Sequence, residues 1–145
     1  EARNASPATL ATIRHVLLSP RLETAFASVV RDGVVGVGQL VIDRSNACVQ
    51  CMTTRADARS TGVATAVLHH LARLAAAHGA STLWLAVMAD NMPARGLYER
   101  AGFAISHEYC YYEAPPAAPT TSTTPDSPPP PETRHKIRGL RPQEI

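Results

Sequence analysis

The sequence predicts an α/β domain in which strands are covered by helices. Three observations carry that reading. Residues 23–30, 34–42 and 47–54 are rich in Val, Ile, Thr and Phe, as strands are. Residues 62–78 place Val63, Val67, Leu71, Leu74 and Ala75 on one helical face. After that helix the text alternates again: a strand, a short helix and a last strand.

Taken in order, residues 8–18 have helical apolar spacing and stop at Ser19-Pro20. The three strand segments follow. Arg31-Asp32-Gly33 and Asp43-Arg44-Ser45-Asn46 are the turns between them, so the segments form an antiparallel meander. The long helix comes next, with Gly79 as its C′ residue. Residues 82–88 are a continuous apolar run, read as a central strand with Trp84 in the core. Residues 92–101 form a short helix closed by Gly102, and residues 103–112 alternate as a final strand. From residue 114 on, the chain is rich in Pro, Ser and Thr and poor in large apolar residues. Such a segment buries too little to offset its ordering entropy, so residues 114–145 read as a disordered tail with polyproline character at residues 128–131. The domain plan is therefore an N-terminal helix and linker at 1–21, a core at 22–113 and a tail at 114–145.

Composition narrows the function classes. The chain has 145 residues, enough for one core. A net charge of +2 gives no ground for expecting a nucleic-acid or anionic-membrane partner. No apolar run approaches the ~18 residues of a membrane span, and no secretory signal opens the sequence. Three cysteines, an odd number, argue against a disulfide framework and toward the cytoplasm. The first residue is Glu1 rather than Met, as expected of part of a longer chain.

One short stretch has a chemical character of its own. Arg59-Ser60-Thr61-Gly62 is polar, and it opens the most apolar helix of the chain. A helix start offers unpaired N–H groups and the positive end of a dipole, which together make an anion site. Gly62 permits close backbone approach, Ser60 and Thr61 carry hydroxyls, and Arg59 adds a permanent charge suited to phosphate. The loop is too short for a Walker A motif and lacks its lysine. Gly33, Gly36 and Gly38 do not make a dinucleotide fingerprint. Alone, the stretch reads more readily as a plain helix start than as an anion site.

A second stretch, LWLAVMADNMPARGLYERAGF, changes the balance. With it the sequence resembles the GCN5-related N-acetyltransferases. Their first motif, [QR]-x-x-G-x-[GA], is matched by Arg59, Gly62 and Ala64. Their second, N-x-x-A-x-x-x-Y-x-x-x-G-F after a strand, is matched by Asn91, Ala94, Tyr98, Gly102 and Phe103. The stretches AFASVVRDG and ISHEYCYY resemble an actinobacterial branch.

The resemblance implies a central, mostly antiparallel mixed sheet with flanking helices, and acetyl-CoA as co-substrate with no metal. It implies that Arg59, Ser60, Thr61, Gly62, Val63, Ala64 and Thr65 cradle the pyrophosphate. Backbone groups of Met52, Thr53 and Thr54 would bind the pantetheine arm, with Asn91 holding it from the other side and Tyr98 protonating the leaving thiolate. The partners are then acetyl-CoA and an amine acceptor (an amino acid, a small amine, or a protein lysine or N-terminus), with no nucleic acid, no membrane, and a homodimer left open.

The chain also departs from the family pattern. Many relatives carry a glutamate on the strand before the first motif, but residues 49–54 hold no carboxylate. The family's first strand and first helix have no counterpart ahead of residue 8. These departures keep open an acyl-CoA-binding domain without turnover, or a fragment of a longer protein.

The remaining candidates read as structural. Cys48 and Cys51 are expected on opposite faces of a strand. His69 and His70 cannot face one ligand from adjacent helical positions, and His107 reads as a packing residue.

Overall fold

The structure, a computed structural model, describes residues 11, 14, 15, 22–113 and 133–142. The expected helix at residues 8–18 lies outside this set except for Ala11, Arg14 and His15, which are helical and exposed. The chain divides into two compact units, Glu1–Leu83 and Trp84–Ile145.

The first unit is the expected meander with a helix on it. Strands β1 (Glu23–Arg31), β2 (Gly33–Asp43) and β3 (Asn46–Thr54) pair antiparallel in sequence order. A 3₁₀ turn, Ala56–Ala58, leads to α1 (Val63–Ala77). The helix buries Val63, Val67, Leu71 and Ala75 of the face read from the sequence, with Leu68 added, whereas Leu74 of that face is only half-buried. Its end is a Schellman motif: Gly79 has φ +78, Gly79 N–H donates to Ala76 O at 3.0 Å, and Ala80 N–H donates to Ala75 O at 3.0 Å.

Gly36 and Gly38 set how closely α1 approaches β2. A Cβ on Gly36 would stand 2.3 Å from Val63 Cγ1. One on Gly38 would meet Leu71, Val67 and Met52 atoms at 2.8 Å. The sequence showed these glycines only as hairpin residues; their role is helix–sheet contact. Gly36→Ala is therefore expected to lower unfolding free energy by about 1–3 kcal/mol through overpacking. Urea denaturation checks this, and an unchanged midpoint would mean that the helix shifts without cost.

Strand β4 (Thr82–Met88) enters the second unit from Trp84 on, and that unit also contains α2 (Met92–Arg100), β5 (Phe103–Glu113) and β6 (Thr133–Pro142). Strand β6 pairs antiparallel with both β4 and β5, giving the order β4-β6-β5. This corrects the reading of residues 133–142 as part of a disordered tail, because they are a strand with a partner on each side; the rest of that reading, residues 114–132 and 143–145, lies outside the described residues. Composition hid it: the segment has only Ile137 and Leu140 as large apolar residues. Strand pairing supplies what composition could not show. Leu140 is 2 % exposed. Lys136 Nζ and Arg138 Nε each lie 2.5 Å from a Glu108 carboxylate oxygen on β5. The Lys136 hydrogen bond, with help from Arg138, holds Glu108 below its ordinary pKa. Its contribution to stability is present above the ordinary glutamate pKa and is lost as pH falls through the depressed value.

Deleting residues 133–145 should therefore abolish cooperative thermal unfolding, because it strips β4 and β5 of a shared ladder. A loose tail would leave Tm within a degree or two. Circular dichroism melts separate the two outcomes.

Strand β4 also differs from expectation. Leu83, Leu85 and Val87 are buried, while Trp84 on the alternate face is 42 % exposed. The strand is two-sided rather than buried throughout, so Trp84 is not a core residue. Among the described residues no helix is long and apolar enough to cross a membrane.

Candidate functional site

The loop before α1 is held by its own polar contacts. Arg55 N–H donates to Val35 O at 2.9 Å, continuing the β2–β3 edge. The Arg55 guanidinium donates to Asp57 Oδ1 at 2.6 Å and to Asp32 O at 3.0 Å. It is thereby tied to a carboxylate and to the β1–β2 turn. Ala58 is buried against Val35 and Val63, so the loop has an apolar foot in the core.

Beyond Ala58 the backbone turns through the left-handed region twice, at Ser60 (φ +59) and Gly62 (φ +83). Gly62 is the N-cap of α1. It has no side chain to cap the helix, and no such bond is made. The first helical bond runs from Ala66 N–H to Gly62 O at 2.9 Å. The N–H groups of Val63, Ala64 and Thr65 precede it and are the donors that a helix leaves unpaired within itself. A Cβ on Gly62 would meet nothing within 4 Å, so the approach to these donors is open.

The flanking side chains divide into two sets. Arg59 and Ser60 are exposed; the Arg59 N–H donates to Ala56 O at 3.4 Å, and among the described residues its side chain makes no hydrogen bond or ion pair. Thr61 behaves otherwise than expected. Its hydroxyl donates to Ala58 O at 2.7 Å and accepts from Arg31 Nη1 at 3.3 Å. Its proton is committed to the loop, so Thr61 shapes the loop rather than offering a free donor. Arg31, which the sequence showed only as a turn residue, reaches this loop from the end of β1 and adds a second charge there. No sequence signal linked two residues thirty positions apart.

Strand β3 ends beside the loop. Val37 pairs with Thr53 and Gln39 with Gln50, so Cys51 and Met52 stand opposite Gly38 alone. This is a β-bulge, and Cys51 takes φ +52 in it. Met52 is half-buried with its sulfur toward the space left by Gly38. Thr53 is exposed and Thr54 half-buried. Cys48 is buried and Cys51 exposed.

The second unit carries the other predicted residues. Asn91 is the N-cap of α2, and its Oδ1 accepts from Ala94 N–H at 3.3 Å. Its carboxamide NH₂ is the group left for any other partner. Tyr98 lies two turns further along and is 7 % exposed. Its ring meets Phe103 at 6.1 Å between centroids, tilted by 60°. Burial pushes its phenol above the ordinary value, so it keeps its proton across the neutral range. Among the described residues no group of three or more His, Cys, Asp or Glu could hold a metal ion.

Known proteins can be set beside this geometry. A family model described as Acetyltransferase (GNAT) family matches residues 5–103. No curated protein matches the sequence. Many solved structures share the fold. The ribosomal-protein-S18-alanine N-acetyltransferase from Escherichia coli superposes with a TM-score of 0.65 at 21% identity, covering 90% of this chain and 74% of its own. Arabidopsis thaliana NAA60, in complex with a bisubstrate analogue, gives 0.67 at 12%, covering 90% and 80%. The IAA acetyltransferase from Bacillus cereus gives 0.64 at 16%, covering 94% and 85%. At these identities the likeness is one of fold: six strands and two helices among the described residues.

Proposed function

Because the chain belongs to the acetyltransferase (GNAT) family, we propose that it transfers an acetyl group from acetyl-CoA to a primary amine by direct attack. The observation that carries this reading is the start of α1. A left-handed glycine with open space stands before three unpaired helix donors, and the exposed Arg59 flanks them. That arrangement suits a diphosphate. Ser60, Gly62, Val63, Ala64 and Thr65 would line it, with Thr61 holding the loop's shape and Arg31 adding charge.

The pantetheine arm would lie along Met52, Thr53 and Thr54, where the bulge ends the regular β2–β3 pairing. The NH₂ of Asn91 would contact it. A neutral amine attacks the thioester carbonyl, and a backbone N–H of β3 stabilises the oxyanion. The Tyr98 phenol then gives its proton to the leaving thiolate. The odd number of cysteines suits a reducing cytoplasm.

The test is thiol release from acetyl-CoA with a panel of acceptors: an alanine-starting peptide, a lysine peptide, free glutamate and a small alkylamine. Amine-dependent release with a matching acetylated product supports the reading. The missing carboxylate on β3 favours one rival, a domain that binds acyl-CoA without turnover. CoA binding with no release for any amine would establish that rival.

A further inference from the structure

Gln39 on β2 holds a polar atom that the preceding account leaves unexplained. The residue is 2 % exposed, and among the described residues its Oε1 has no hydrogen-bond partner. A buried amide oxygen without a donor costs its full desolvation. Native chains seldom keep one unless an ordered water or a ligand fills the place.

Its neighbours say what that donor does. Phe26 on β1, Gln39 on β2 and Gln50 on β3 form one cross-strand row. Gly38 turns its vacant side toward Leu71 and Val67 of α1, so alternation turns Gln39 to the opposite sheet face. Gln50 Nε2 donates to Cys48 Sγ at 3.5 Å and so is engaged away from the Gln39 oxygen. One residue past Gln50 the bulge begins at Cys51, and β3 continues into Met52, Thr53 and Thr54. Cys48 and Cys51 are the titratable groups of β3 beside this row; Phe26 faces it from β1 and carries no charge.

We infer that Gln39 Oε1 positions an ordered water that takes the proton from the acceptor ammonium, in the role a carboxylate fills in many relatives. The inference rests on the acetyl-transfer reading. The ammonium gives one N–H proton to the water, which passes one of its own protons to bulk solvent and is unchanged. The freed lone pair forms the N–C bond. The C–S bond breaks with its electron pair on sulfur, and the sulfur is reprotonated. The balance is acetyl-CoA plus ammonium to amide, thiol and one released proton. A carboxamide oxygen does not titrate. It accepts a hydrogen bond from the water and thereby aims a lone pair of the water at the amine. Gln39 is a positioning residue in this scheme.

The experiment compares wild type, Gln39→Leu and Gln39→Glu, with a crystal structure of the wild-type chain. Acceptors are the alanine-starting peptide and free glutamate, from about pH 6 to pH 10. Density for a water about 3 Å from Oε1 is expected. Gln39→Leu should lower kcat at least about tenfold with KM for acetyl-CoA unchanged. Gln39→Glu should restore turnover and move the rising limb of the pH profile to lower pH, because a carboxylate then takes the proton. An empty place beside Oε1, or Gln39→Leu with raised Tm and unchanged kcat, overturns the inference. So does a joint loss of kcat and Tm that Gln39→Glu fails to restore. If the wild type turns over no amine, the acetyl-transfer reading fails with it; the water density still reports on Oε1 separately.

Discussion

Gly62→Val is expected to weaken CoA binding at least about 100-fold while leaving the domain folded. A hundredfold loss is about 2.7 kcal/mol, within reach of two or three charge-assisted bonds at about 1.5–3 kcal/mol each. The substitution has two effects, and a control at the other end of the same helix separates them. Gly62 has φ +83 and Gly79 has φ +78, and a Cβ at either meets nothing within 4 Å. Valine in the left-handed region therefore costs the fold about the same at both positions, on the order of 1–3 kcal/mol. Gly62→Val and Gly79→Val should show similar falls in Tm, but only the first should lose CoA. Arg59→Ala should give a smaller loss, about 10- to 100-fold, since it removes one contact and no backbone access. Calorimetry with CoA reads all three. Equal CoA affinity in the two valine variants would remove the anion site from the start of α1.

Tyr98→Phe should lower kcat by about 100- to 10,000-fold, the usual span for a general acid. The hydroxyl acts on charge that develops on sulfur in the transition state and is absent from the bound thioester. KM for acetyl-CoA should therefore stay nearly constant. Phenylalanine keeps the ring, so the packing against Phe103 and the melting temperature should survive. Steady-state kinetics and a thermal melt decide it. An unchanged kcat would make Tyr98 a packing residue whose raised pKa reflects burial alone.

Local patterns were readable in the sequence. Val63, Val67, Leu71 and Ala75 repeat at helical spacing, and the structure buries all four. Gly79 and Gly102 closed both helices as read, each at positive φ. The three strands of the meander were delimited by their turns to within a residue or two. Long-range features were not readable. Strand β6 is charged and short of apolar residues, and the carboxylate that partners Lys136 and Arg138 lies on β5, with residues 114–132 between the two strands. The contact of Arg31 with Thr61 depends on two strand ends meeting a loop. The bulge at Cys51 exists because Gly38 alone stands opposite two residues of β3, and nothing in CVQCM announces that. Gly36 and Gly38 read only as residues of a hairpin strand, because their purpose is the closeness of a helix that follows much later. At the candidate site, the polar character of the loop before α1 was legible, whereas the commitment of Thr61 to Ala58 and the orphaned oxygen of Gln39 were not.

The most direct test of the account is a crystal structure of this chain with acetyl-CoA. The diphosphate should lie within hydrogen-bond distance, about 2.7–3.2 Å, of the N–H groups of Val63, Ala64 and Thr65, with Arg59 alongside. A diphosphate seated elsewhere, with the N–H groups at the start of α1 facing only solvent, would contradict it.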